Sequence, residues 1–195
     1  MNAMESILLL LPLSATGTYI DCTNGVDSDC HRNVVDCSTS DVCNVECGGS
    51  EGCSYSNIYC PASCGVTCDG PSACISAHIH LPAKSDGSTI DCQGEKACQS
   101  SSITIGSDSR VSMGCSDGND VCNHMHVNAT AGGSTLDITA YNFRTPAMTL
   151  ASIVGGTNTA IIVVCEERGI AGPYPHTCSG LSYYCLSCLF NEYLG

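Results

Sequence analysis

The sequence predicts an all-β fold, a disulfide-rich right-handed parallel β-helix, or β-solenoid, of about six coils. Three observations predict it. Cysteine is frequent, at 18 of 195 residues. A short frame of cysteines and apolar residues recurs with a period of 21–24 residues. Within each copy the apolar residues alternate with polar ones, as in a strand that buries one face.

The frame begins with an apolar residue, any residue and a cysteine, and a second cysteine follows six or seven positions later. Five segments share it: VVDCSTSDVC ending at Cys43, NVECGGSEGC ending at Cys53, GVTCDGPSAC ending at Cys74, TIDCQGEKAC ending at Cys98 and SMGCSDGNDVC ending at Cys122. The apolar residues are Val35, Val45, Val66, Ile90 and Met113. These segments are expected to be strands whose apolar residues and cysteines point inward.

A second alternation follows the second cysteine. Ile58, Ile79, Ile103 and Val127 lie five residues beyond it, and Cys60, Leu81, Ile105 and Ala129 lie two residues further on. One coil of this size is too small to bury its own apolar face, whereas stacked coils share a continuous narrow core. The glycines of CGG, CDG and CQG suit a corner that requires a positive φ.

The spacing of the first cysteines sets the expected register. Cys47, Cys68, Cys92 and Cys115 follow one another at 21, 24 and 23 residues, and a further 23 residues lead to Ile138, which is predicted to replace the cysteine of a sixth coil. Connections between parallel strands are right-handed in nearly all proteins. The alternative is a string of small independent disulfide modules, but such modules lack regular columns of isoleucine.

Two schemes for pairing the cysteines are open. Cysteines of neighbouring coils lie close enough to bridge, because adjacent strands are about 4.8 Å apart. The column of Cys37, Cys47, Cys68, Cys92 and Cys115 has an odd number of members, however, and the coil at Ile138 lacks both cysteines together. Pairing within a coil is therefore favoured. The expected pairs are Cys37–Cys43, Cys47–Cys53, Cys68–Cys74, Cys92–Cys98, Cys115–Cys122, Cys22–Cys30 and Cys60–Cys64, with two more among Cys165, Cys178, Cys185 and Cys188.

Over roughly residues 30–140 this frame resembles the Cys-rich repeats of secreted and surface proteins of single-celled eukaryotes. The resemblance implies a pectin-lyase-like right-handed β-helix and a location outside the cell. It implies no assigned reaction.

The chain divides into three parts. Residues 1–17 contain the short apolar run ILLLLPL followed by small residues, which predicts a secretory signal peptide. Residues 18–145 are predicted to form the Cys-rich β-helix, and residues 146–195 a last coil with a Cys-bearing cap or a truncated continuation. Many cysteines and a signal peptide together predict an extracellular or cell-surface protein.

The net charge of the chain argues against a nucleic-acid partner. The formal net charge is −13, from 6 Lys and Arg against 19 Asp and Glu. Such a chain repels phosphate backbones, so no nucleic-acid partner is expected. No stretch is long enough to span a bilayer. The partners expected are a second copy, stacked end to end, or extracellular glycans.

Two outward columns are candidates for metal binding. His78 and His80 flank an inward isoleucine, and His126 lies two coils along in the column of His78. A second column is predicted to hold Asp36, Glu46, Thr67, Asp91, Gly114 and Asp137. Both are interpreted as solvated polar faces. The CLSC motif at Cys185–Cys188 has the spacing of zinc ligands but is assigned to disulfides. The sequence thus predicts no metal site and no cofactor.

An enzyme of the pectin-lyase class is the rival function that the resemblance suggests. The acidic and basic motifs of its hydrolases, which resemble NTD, DD, GHG and RIK, do not occur in this sequence. No catalytic residue is assigned, and the chain is expected to be a non-catalytic structural or adhesive protein. The NAT motif at Asn128 predicts N-glycosylation.

Overall fold

The structure is a computed structural model, and it describes residues 17–141 and 152–166. This part of the chain forms thirteen β-strands and one short 3₁₀ helix, Gly25–Asp27. In chain order the strands are β1 (Gly17–Asp21), β2 (Val34–Asp36), β3 (Val42–Gly48), β4 (Asn57–Tyr59), β5 (Ser63–Asp69), β6 (His78–Leu81), β7 (Asp86–Gln93), β8 (Ser102–Ile105), β9 (Arg110–Ser116), β10 (His126–Ala129), β11 (Thr135–Tyr141), β12 (Ser152–Gly155) and β13 (Ala160–Glu166).

The strands form two parallel sheets that are built alternately along the chain. Sheet A has the order β1-β3-β5-β7-β9-β11-β13, and sheet B has the order β2-β4-β6-β8-β10-β12. Each coil therefore contributes one longer strand to sheet A and one shorter strand to sheet B. The predicted all-β solenoid of about six coils is confirmed.

The third side of the solenoid is a stack of turns, which we call the turn wall. It consists of residues 49–56, 70–77, 94–101 and 117–125, each segment leading from sheet A to sheet B. Hydrogen bonds join its coils: Ser72 donates its N–H to the Glu95 carbonyl (2.8 Å), and Cys74 donates to Gly52 (2.9 Å). The turn wall therefore continues the backbone pairing between coils where strands are absent.

Four of the five second cysteines of the frame lie in the middle of the turn wall with an unusual backbone conformation, whereas Cys43 lies in β3. The φ is 54° at Cys53, 55° at Cys74, 53° at Cys98 and 54° at Cys122. Positive φ is uncommon outside glycine, and it persists where the surroundings enforce it. Here the disulfide and the hydrogen bonds between coils hold each cysteine in place.

The predicted corner glycines are confirmed at the start of the turn wall. Gly49, Gly70 and Gly94 have φ values of 68°, 137° and 102°. A Cβ on Gly70 would collide with the carbonyl oxygen of Gly49 in the preceding coil. In the next coil Asp117 occupies the corresponding corner with a φ of 58°.

The interior follows the predicted columns across most of the molecule. In sheet B, Val35, Ile58, Ile79, Ile103 and Val127 are consecutive partners and all are buried. In sheet A, Val45, Val66, Ile90 and Met113 are consecutive partners and are likewise buried. Among the described residues, Ser28 Oγ is the one buried side-chain polar atom without a hydrogen-bond partner.

The structure corrects the predicted register at both ends. Val35 lies in β2 of sheet B and Cys37 directly follows that strand, so Cys37 is not the first member of the cysteine column of sheet A. That position belongs to Cys22, which directly follows the pairing of Asp21 with Glu46, beside Cys47. The pattern apolar-x-Cys occurs at two different corners, and sequence alone did not separate them.

At the other end, Ile138 pairs with Met113, and Ala140 pairs with Cys115. The predicted replacement of cysteine by Ile138 was therefore wrong by two positions. One of the two positions comes from the turn wall, because Cys115 and Cys122 are separated by 7 residues whereas Cys92 and Cys98 are separated by 6. The other comes from the turn between sheet B and sheet A, where Gly132 and Gly133 both have positive φ.

No helix in residues 17–141 and 152–166 has the length and apolar character needed to cross a membrane.

Candidate functional site

Seven disulfides lie inside the solenoid, each closing a loop within one coil. Their pairs are Cys22–Cys30, Cys37–Cys43, Cys47–Cys53, Cys60–Cys64, Cys68–Cys74, Cys92–Cys98 and Cys115–Cys122. They are the pairs that the sequence favoured, and all fourteen cysteines are buried. This number of disulfides indicates an oxidising environment.

Five of these disulfides stack in one column behind the turn wall. Sulfur atoms of Cys47, Cys68 and Cys74 lie within 4.8 Å of one another, and so do those of Cys68, Cys92 and Cys98. Neighbouring coils are thus in contact through sulfur, which fills the narrow interior where an aliphatic side chain would otherwise lie.

The remaining four cysteines fall partly outside the described residues. Cys165 is a residue of β13, where it pairs with Ala140 and so continues the register of the first cysteines. Cys178, Cys185 and Cys188 lie outside the described residues, as do the predicted signal peptide up to residue 16 and the C-terminal cap beyond residue 166.

The outer face of sheet B carries the predicted histidine column. Asn57, His78, Ser102 and His126 are consecutive partners, as the sequence predicted. The neighbouring outward column runs through Asp36, Tyr59, His80, Thr104 and Asn128. The strands of this sheet contain one carboxylate, Asp36, and no lysine or arginine.

Tyr59 and His80 stack on this face in adjacent strands. Their ring centroids are 4.8 Å apart and the ring planes differ by 11°. Partial burial, and then the neighbouring His78, hold the pKa of His80 below its usual value. The His80 ring therefore lies nearly parallel to the Tyr59 ring, in surroundings that favour the neutral imidazole.

Asn128 lies in the same column as His80, at the outer face of β10. Asn128 and Thr130 are both exposed, while Ala129 between them is buried. The Thr130 N–H donates to Asn128 Oδ1 (3.1 Å) and orders the turn after the strand. The predicted sequon is thus presented to solvent.

The outer face of sheet A is the acidic face, although its columns differ from those predicted. Asp21, Glu46, Thr67, Asp91, Gly114 and Thr139 are consecutive partners. Asp36 is not part of this column because it lies in sheet B. Asp137 is displaced by two positions and pairs with Ser112.

Local hydrogen bonds stabilise several of the carboxylates. Asp21 Oδ1 accepts from the hydroxyl of Thr23 (2.6 Å) and from its N–H (2.9 Å), which lowers the pKa of this exposed carboxyl group. Tyr19 donates to Glu46 in the next coil, and this hydrogen bond raises the pKa of the tyrosine. The Gln93 amide donates to Asp91 (2.6 Å).

Sequence reasoning missed a column of buried hydroxyl side chains where sheet B turns into sheet A. Ser85, Ser109, Ser134 and Thr159 occupy equivalent corners in four coils, and each is at most 3 % exposed. Ser109 Oγ accepts from the Ser85 N–H (3.1 Å), and Ser134 Oγ accepts from the Ser109 N–H (3.3 Å). The sequence signal was the recurrence of Lys-Ser, Asp-Ser, Gly-Ser and Asn-Thr at the period of the coils.

The histidine and carboxylate columns described above lie on the outer faces of sheet B and sheet A. Within residues 17–141 and 152–166, the groups of three metal-ligand side chains within 4.8 Å consist of cysteines that are already in disulfides. The chain matches no protein-family model, no curated protein and no solved structure.

Proposed function

We propose that this protein is a secreted or cell-surface structural or adhesive rod that associates with itself or with extracellular glycans. The observation that carries the proposal is the difference between the inward and the outward residues of each coil. Inward positions hold cysteine, aliphatic side chains and hydrogen-bonded serine, whereas the outward positions vary from coil to coil. This pattern is expected when selection acts on stacking of the coils rather than on one set of catalytic groups.

The geometry suits a rigid spacer. Seven strands of sheet A at about 4.8 Å spacing span roughly 29 Å along the stack. A backbone paired from coil to coil and a disulfide in most coils oppose local opening, since small disulfide loops restrict the unfolded chain. Rigidity of this kind protects a protein from extracellular proteases.

The distribution of exposed apolar side chains supports association through the ends. Large exposed apolar residues in the described regions lie in the first two coils and in β12 and β13 at the other end: Tyr19, Val26, Val34, Tyr55, Tyr59, Val154 and Ile162. The central coils have none among the described residues. Strand edges at the end of a solenoid also offer unpaired N–H and C=O groups, which favour addition of another strand.

The proposal includes secretion through an oxidising compartment and a glycan on Asn128. Seven buried disulfides support maturation in an oxidising compartment, and the exposed sequon supports a glycan on Asn128. The resemblance of the repeat frame to the Cys-rich repeats of secreted and surface proteins adds further support.

Two measurements test the role. Sedimentation velocity and electron microscopy are expected to show linear association that Val34→Asp at the first coil weakens, whereas Thr104→Asp on the same face of a central coil leaves it unchanged. A glycan array would detect binding without turnover.

The proposal is overturned by catalysis. A panel of polysaccharides, with and without Ca²⁺, would be assayed for new reducing ends and for unsaturated products. Turnover that Asp91→Asn or Asp137→Asn abolishes would identify a carbohydrate-active enzyme instead.

A further inference from the structure

The sequence contains the same short histidine motif twice. His78-Ile79-His80 and His124-Met125-His126 have identical spacing and an apolar central residue. The repeat frame aligns His126, and not His124, with His78, so the two motifs are offset by two residues within their coils. The structure separates them.

In the first motif both histidines are residues of β6. His78, Ile79 and His80 are consecutive strand residues, and Ile79 is buried. Alternate residues of a strand share a face, so both imidazoles lie on the outer face of sheet B. Their Cα atoms are about 6.6 Å apart at a rise of about 3.3 Å per residue.

In the second motif the histidines are divided between two walls. His126 is the first residue of β10, but His124 lies in the turn wall with a φ of 55°. A left-handed residue before the strand breaks the alternation, so the two side chains do not share the face of one strand.

The surroundings of the first pair also favour a ligand role. The Tyr59 ring stacks on His80 and restricts its orientation. Asn57 and Ser102 flank His78 in the adjacent strands and are neutral hydrogen-bonding residues. No lysine or arginine in the strands of sheet B opposes a cation on this face.

We propose that His78 and His80 together chelate one late-transition divalent cation, such as Cu²⁺ or Zn²⁺, on the outer face of sheet B. Neutral imidazole nitrogen is a preferred ligand for both ions. The spacing along β6 lets both rings converge on one ion at the usual distance of about 2.0–2.1 Å. The first motif is thus a bidentate site, whereas the second offers separate single ligands.

This inference goes beyond the structural role proposed above and does not depend on it. Binding is expected to follow the order Cu²⁺ over Zn²⁺ that governs nitrogen ligands.

The test is a titration of the oxidised full chain with Cu²⁺ alone, against a weak competing ligand, followed by electron paramagnetic resonance. One tightest site is expected, with couplings from two imidazole nitrogens. His78→Asn and His80→Asn are each expected to weaken it at least about tenfold, a loss of about 1.4 kcal/mol in binding free energy. Mass spectrometry would verify that each variant retains its disulfides.

The second motif provides the matched control. His124→Asn and His126→Asn are expected to leave the tightest site unchanged. The proposal is wrong if the His78 and His80 variants keep wild-type affinity, or if the His124 and His126 variants lose as much. A spectrum with one coupled nitrogen in the wild-type chain would equally overturn it.

Discussion

The corner between sheet B and sheet A is closed in two different ways along the solenoid. In the corners before β3 and β5 it is closed by the disulfides Cys37–Cys43 and Cys60–Cys64. In the next corner the equivalent inward positions hold Leu81 and the buried Ser88, and in the corner after it they hold an aliphatic pair, Ile105 with Val111. The chain path is the same, but a covalent bond is replaced by packing.

Where the disulfides end, the hydroxyl column begins. Ser109 Oγ accepts from Ser85 in the preceding coil and donates to the Pro82 carbonyl (3.2 Å). Ser134 repeats the arrangement by accepting from Ser109 and donating to Gly106 (2.9 Å). The disulfides act within one coil, whereas the serines connect successive coils.

The difference shows that a solenoid corner needs closure but not one particular chemistry. A disulfide stabilises mainly by restricting the unfolded chain, so its contribution does not depend on a well-packed neighbour. Aliphatic packing and hydrogen bonds act in the folded state and depend on the next coil. The disulfide corners are therefore expected to survive the loss of neighbours better than the serine corners.

The largest effect is expected from disrupting the buried aliphatic column of sheet B, which runs past both kinds of corner. Ile103→Asp places an unpaired carboxylate in the interior and should cost several kcal/mol of unfolding free energy, enough to unfold the central coils. Thr104→Asp, the exposed neighbour on the same strand, should change stability by less than about 0.5 kcal/mol. Chemical denaturation followed by circular dichroism measures both, and equal tolerance at the two sites would refute the alternation.

Removing one corner disulfide should have the next largest effect. The double variant Cys60→Ala/Cys64→Ala is expected to lose about 2 kcal/mol of unfolding free energy, the chain-entropy estimate for so short a loop. The comparison is made again after reduction of both proteins, where the difference should largely disappear. A difference that persisted after reduction would show that the corner depends on packing rather than on the covalent bond.

The serine corner should respond to loss of a single hydroxyl. Ser109→Ala leaves the buried Ser85 N–H without its acceptor and is expected to cost about 1–2 kcal/mol. Ser107→Ala, two residues away and partly exposed, is the matched control and should be nearly neutral. Hydrogen exchange of the Ser85 amide reports the effect directly, and unchanged protection in Ser109→Ala would contradict the hydroxyl column.

The smallest effect is expected from pH at the face of sheet B. Because the pKa of His80 is lower in the folded than in the unfolded protein, the unfolded state binds more protons below about pH 6.5. Stability from this group is therefore complete above that pH and declines as the pH falls towards the lowered value. Melting temperatures between pH 8 and pH 5 should show a shallow decline that His80→Asn reduces, and an unchanged decline in His80→Asn would contradict this prediction.

Much of the fold could be predicted because its signals are local. The alternation around Val66 and Ile90, and the constant distance from each second cysteine to Ile79 or Ile103, depend only on strand geometry and turn length. Pairing of the cysteines within a coil followed from their joint loss in the coil of Ile138. The hydroxyl column was missed because serine is common at surface turns, and nothing local marks it as buried.

The candidate site was predicted in part. The column of Asn57, His78 and His126 was placed correctly because each follows a second cysteine at a fixed distance. The carboxylate column was wrong at Asp36 because this residue lies in sheet B, before a cysteine of the other corner. It was wrong at Asp137 because the coil before this residue is two residues longer than the preceding one. The stacking of Tyr59 on His80 joins two coils and has no signal within either one.

By itself the sequence determined the kind of structure: a stack of short strands with inward cysteine and isoleucine, a constant frame and variable outward residues. The tertiary structure decided which segments are equivalent. The pairs Val35-x-Cys37 and Val45-x-Cys47 are locally the same, yet the first lies where β2 of sheet B ends and the second lies within β3 of sheet A. Register between coils depends on the whole path around each turn and on hydrogen bonds to the neighbouring coil, and a local pattern contains neither.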